Sequence, residues 1–152
     1  MEKDLAALIA EFDQSRNEML EIVGRTDPAL EILPGWTIRE ILINISSWEI
    51  VIEKALKAYQ TGDAPYFLHE QDFDIFNQES IENRSSRSME EVLKEWKQVR
   101  ADLKKTIQKL KDTDLPVEMV LPWGSERPIY ELLEIIGEHE TEHMEDVKKV
   151  AG

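Results

Sequence analysis

Apolar residues recur at three- and four-residue intervals along four long segments, the spacing that lines them up on one face of an α-helix. Leu5, Leu8, Ile9, Phe12, Met19 and Val23 make the first face, which Gly24 and Pro28 bring to an end. The second runs through Ile38, Ile41, Ile45, Trp48, Ile52, Ala55 and Tyr59 and stops at Gly62 and Pro65. It opens on Thr37 with Glu40 three residues later, a capping box that satisfies free amide groups at a helix start. The third repeats that device with Ser88 and Glu91, then buries Met89, Val92, Trp96, Val99, Leu103, Ile107 and Leu110. The fourth takes Pro128 into its first turn and continues through Ile129, Leu132, Ile136, His139, His143, Val147 and Val150.

The connections are less regular. Residues 72–84, DFDIFNQESIENR, read as a short extra helix or ordered loop, and residues 115–124, LPVEMVLPWG, as a proline-bounded extended stretch. No set of strands emerges, so the pattern predicts an all-α four-helix bundle, one domain over residues 1–152. A chain of 152 residues suits a single core.

Charge narrows the partners. With 18 Lys and Arg against 32 Asp and Glu, the formal charge of −14 repels a phosphate backbone, so nucleic acid and anionic membrane are not expected. The absence of cysteine removes disulfides, thiolate metal sites and a cysteine nucleophile. MEKDLAALIAEFDQ carries acids from its second residue and no uninterrupted apolar run, so neither a signal peptide nor a membrane span is expected there and the cytoplasm is the expected location. Neither a glycine-rich phosphate loop nor a Ser-His-Asp spacing stands out.

The chemistry concentrates in GEHETEHMED. Of the chain's three histidines, His139 and His143 lie four residues apart, so on a helix their rings stack on one face. They occupy the apolar register between Ile136 and Val147 and should point inward. Buried polar groups need a partner: a metal ion is one, and hydrogen bonds to backbone or neighbouring acids are the other. Gly137 predicts a tight helix crossing, while Glu138, Glu140 and Glu142 are rotated off the inward stripe and read as surface charge or as supports behind the rings. His69 reads as a solvated loop residue, so a third metal ligand must come from elsewhere.

PGWTIREILINISSWE (34–49), taken with HETEH, resembles the DinB-like family of four-helix bundles over nearly the whole chain. In that family a metal-binding histidine follows the helix-two tryptophan by eight residues, and the last helix supplies a His-x-x-x-His pair. The resemblance therefore implies His139 and His143 as two of three ligands and puts Asn44, eight residues after Trp36, at the third. It implies zinc, nickel or iron held more weakly than by three imidazoles, because a neutral amide oxygen is the poorer donor for these ions.

Trp48 and DFDIFN are similar to the ClbS/DfsB-type branch, which has departed from the metal triad and protects against a reactive small molecule by opening it hydrolytically. The expected cavity lies among the second, third and fourth long segments, floored by Asn44, His139 and His143. Its expected substrate residues are Asn44, Trp48, Phe73, Asn77 and Trp123, while Trp96 is expected in the core. The implied function is metal-dependent hydrolysis or thiol-dependent transfer on a small molecule. The alternatives are a non-catalytic protein that sequesters such a molecule, and a homodimer that pairs exposed helical faces.

Overall fold

The computed structural model describes residues 3–151. Four long helices form the bundle: α1 (Leu5–Arg25), α2 (Ile38–Thr61), α4 (Met89–Gln108) and α5 (Ile129–Ala151). A short helix α3 (Phe73–Glu82) follows α2, a 3-10 turn occupies Asp112–Asp114, and strands β1 (Glu118–Val120) and β2 (Glu126–Pro128) precede α5. The helix starts follow from local chemistry. Asp4 Oδ1 accepts from the Ala7 amide at 2.8 Å, Glu40 accepts from the Thr37 amide at 2.9 Å, and Ser88 Oγ accepts from the Glu91 amide at 3.1 Å. Gly62 ends α2 at φ +72°, a left-handed conformation that favours glycine. Among the described residues no helix is long and apolar enough to cross a membrane.

Three details depart from the sequence reading. The 115–124 stretch does not simply run extended: with the residues after it, it folds back as an antiparallel hairpin, Met119 opposite Arg127. Three-residue strands are too short to show a period-two pattern. Pro128 accordingly closes β2 instead of sitting in the first helical turn, and the amides of Ile129 and Tyr130 donate to Val117 O and Leu115 O at 2.9 and 3.1 Å. Gly137 marks no close crossing, since a Cβ built there meets nothing within 4 Å.

α2 packs along α4 and α1 along α5. The core divides into two apolar clusters, one around Phe12, Ile52, Leu103 and Ile136, the other around Met19, Ile45, Trp96 and Met144. Between them in sequence register, each long helix contributes one buried charged residue: Arg16, Glu49, Arg100 and Glu140. Glu140, expected as surface charge or as a support behind the histidine rings, is instead fully buried in this layer. Its carboxylate accepts from Arg16 Nε at 2.9 Å, Arg100 Nη2 at 3.2 Å and Ser15 Oγ at 2.9 Å. Glu49 accepts from Arg100 Nε and Nη2 at 2.9 and 2.8 Å and from Arg16 Nη2 at 3.2 Å. The remaining guanidinium donors reach Trp96 O and Phe12 O, and the two cations lie over the Trp96 and Phe12 rings at 3.9 and 4.6 Å. Two cations and two anions cancel, so the layer ties all four helices together without buried net charge.

Candidate functional site

α2 and α5 bring Asn44, His139 and His143 together. His143 Nε2 lies 3.0 Å from Asn44 Oδ1 and 3.1 Å from His139 Nε2, with the two imidazole centroids 4.7 Å apart. Asn44 is 2% exposed and His143 8%, so this centre is shielded from water.

The orientation of the amide is dictated by a neighbour. An indole N–H can only donate, and Trp48 Nε1 donates to Asn77 Oδ1 at 2.8 Å. Asn44 Nδ2 donates to that same oxygen at 2.8 Å, which leaves Asn44 Oδ1 facing His143. The short helix is what delivers Asn77. Asp72 caps it, its Oδ1 accepting from the amides of Asp74 and Ile75 at 3.0 and 3.2 Å, and Phe73 and Asn77 then share one face a turn apart.

While neutral, His143 cannot donate to both Asn44 and Asp146. Its Nδ1 lies 3.3 Å from Asp146 Oδ2 without a hydrogen bond. With the proton on Nε2, Asn44 is served, but an Nδ1 lone pair faces the Asp146 carboxylate. With the proton on Nδ1 the carboxylate is served and Nε2 can accept from a His139 Nε2–H, but the Nε2 lone pair then faces the Asn44 oxygen at 3.0 Å. A cation at Nε2 resolves the second arrangement. A proton is a poor candidate for it, because burial lowers the pKa of His143 despite the opposing pull of Asp146.

Burial and, secondarily, the neighbouring His143 push His139 down to about 4. Its imidazole is therefore neutral at pH 7. The unfolded chain takes up a proton near pH 6.5 that the folded chain refuses until about pH 4. Stability of the metal-free protein is expected to fall as pH drops through this window and to lose no more below it, by on the order of 3 kcal/mol from this group. Urea unfolding at intervals of pH checks this, and an unchanged midpoint from pH 6.5 to 4.5 contradicts it.

His139 lines a cavity of about 420 Å³. The other walls are Trp48, Glu49 and Ile52 of α2, Phe73 and Asn77 of α3, Trp123 of the hairpin turn, and Ile135, Ile136, Glu138 and Glu142 of α5. This corrects the expected location: no α4 residue lines the cavity, and the short α3 takes its place. Asn44 and His143 do not line it either; they sit behind His139 and Asn77. The hairpin sets Trp123 opposite α3, because the Leu68 amide donates to Pro122 O at 3.0 Å and fixes the linker to the turn. Gly124, at φ +98°, allows that turn.

His69 is exposed in the linker, and Trp96 is fully buried in the core, both as expected. Among the described residues no three His, Asp or Glu side chains converge as a metal cluster, so a metal at this centre would draw on two imidazoles and the Asn44 oxygen.

Comparison with known proteins sets this geometry in context. Bacillus subtilis (strain 168) YuaE, an uncharacterised protein, is 24% identical over 153 residues, covering 91% of this chain and 94% of YuaE. An uncharacterised Escherichia coli UTI89 protein of known crystal structure superposes with a TM-score of 0.79 at 14% identity, covering 98% of this chain and 93% of that one. One from Clostridium difficile 630 does so with a TM-score of 0.79 at 12% identity, covering 98% and 96%. At such identities the two structures speak for the fold alone. The family model described as the DinB superfamily matches residues 31–147, which take in both Asn44 and the histidine pair, and the chain therefore belongs to the DinB superfamily.

Proposed function

We propose that this protein holds a divalent metal ion on His139, His143 and Asn44 and uses the adjoining aromatic cavity to process a small molecule by hydrolysis or group transfer. The observation that carries the reading is the meeting of Asn44 Oδ1 and His139 Nε2 at 3.0 and 3.1 Å on His143 Nε2, with a carboxylate on the far side of the same ring. A histidine ligand ordinarily offers one nitrogen to the metal and donates its other N–H to such a carboxylate. Two nitrogens bound to one tetrahedral zinc at about 2.0–2.1 Å stand about 3.3 Å apart, close to the 3.1 Å between the two imidazoles.

The alternative of a metal-free imidazole base is disfavoured by its electrostatics. A general base works best with a pKa near the working pH, and His139 at about 4 is too weak a base for that. The same low value favours metal binding, because no proton competes for the lone pair at pH 7. A bound ion would supply Lewis acidity and a nucleophilic water at neutral pH. The chain's own residues do the rest: Asn77 and Trp48 orient the amide, Asp146 stands where it can accept a hydrogen bond from the Nδ1–H of His143, and Trp48, Phe73 and Trp123 exclude water from the bound molecule.

Zinc titrated into chelator-stripped protein against a chromophoric competitor is expected to bind at one equivalent and to move the ring signals of both His139 and His143. Absence of binding, or binding that leaves these signals in place, contradicts the proposal. The amide donor favours a second reading, a protein that sequesters its ligand without turnover; zinc-loaded protein that binds a molecule and releases it unchanged would decide for that.

A further inference from the structure

We propose that the molecule taken by this cavity is a cationic amine carried on an apolar body about the size of a bicyclic aromatic. This rests on the reading of the cavity as a substrate site, and it names the class of substrate. Trp48, Phe73 and Trp123 meet one another at interplanar angles of 72–77°, with centroids 5.0–6.2 Å apart, so their planes form a corner like three walls of a box. Such a corner suits a flat apolar body, and aromatic faces attract a cation as well.

The acidic side chains at the mouth of the box set its charge. Glu138 and Glu142 stand one helical turn apart on α5 at its exposed rim, neither in a salt bridge among the described residues. No Lys or Arg lines the cavity. The third lining carboxylate, Glu49, is spoken for by Arg16 and Arg100. An ammonium group is thus met by the carboxylates of Glu138 and Glu142 and by ring faces, within the field of a chain with a formal charge of −14. A carboxylate- or phosphate-bearing molecule, anionic thiol cofactors included, is met by two like charges at the entrance.

Three probes of one shape separate these cases: 2-(2-naphthyl)ethylamine, 2-(2-naphthyl)ethanol and 2-naphthylacetate, titrated calorimetrically into chelator-stripped protein at low ionic strength. The amine is expected to bind at least about tenfold more tightly than the carboxylate, with the alcohol between, and Glu138→Gln/Glu142→Gln is expected to shrink that ratio below about threefold. Both side chains are exposed, so the double variant should fold as the parent does. Equal affinities, a preference for the carboxylate, a preference that survives in the double variant, or failure of all three probes to bind each overturns the proposal. The series is repeated in His143→Ala. A preserved amine preference there, in protein that fails to bind zinc even before substitution, supports this ligand class while removing the metal chemistry proposed above.

Discussion

Glu140→Ala is expected to cost about 3–5 kcal/mol of stability, the loss typical when one partner of a buried ion pair is removed. Glu140 is fully buried and faces both guanidinium groups, so its removal leaves two cations with one anion in the middle of the bundle. Arg16 and Arg100 cannot shed their protons to escape, because guanidinium stays charged in proteins. Ser15 loses its acceptor as well. For a chain of this size the loss corresponds to a drop in Tm of roughly 10 °C or more. Urea and thermal unfolding check the figure, and a change below about 1 kcal/mol would show that water or relaxation compensates the layer.

His143→Ala is the second large effect, and it falls on binding. Both short contacts of the centre, to Asn44 at 3.0 Å and to His139 at 3.1 Å, run through His143 Nε2. The variant leaves one imidazole and an amide, a donor pair too small for a stable zinc site, so zinc affinity is expected to fall at least about 100-fold. Asp146→Asn touches only the outer nitrogen of the same ring, and its expected loss is smaller, about 10-fold to 100-fold. The graded order matters: equal losses in the two variants would place the ion elsewhere, and unchanged affinity in His143→Ala would remove the site. Comparable circular dichroism spectra separate this from unfolding.

The helices were legible because burial imposes a period on the sequence. The capping pairs at Thr37 and Ser88 and the glycine at 62 mark their ends in the structure as well. The histidine spacing and the position eight residues after Trp36 led to the three side chains that meet.

What escaped the reading had specific causes. The charged layer was hidden because a search for apolar residues passes over charged ones, although Arg16, Glu49, Arg100 and Glu140 each stand four residues after a core residue: Phe12, Ile45, Trp96 and Ile136. On α5 the apolar period runs from Ile136 through His139, yet a second stripe from Ile136 through Glu140 to Met144 is buried too, because that helix packs on both sides. Phe73 and Asn77 were legible as cavity residues, but the dual role of Asn77 was not: that it accepts from Trp48 and Asn44 together depends on where α3 docks, a long-range contact without a local signal. The hairpin was missed for the same reason, since its pairing is visible only once both strands are in place.

The central claim is that His139 Nε2, His143 Nε2 and Asn44 Oδ1 share one cation behind the aromatic cavity. Anomalous diffraction at the zinc edge from crystals grown with one equivalent of zinc tests it most directly. The account predicts a single strong peak within about 2.0–2.2 Å of both imidazole Nε2 atoms and beside the Asn44 oxygen, with His143 Nδ1 turned to Asp146. Density without a peak between the two rings, or a peak held instead by surface carboxylates, would contradict it.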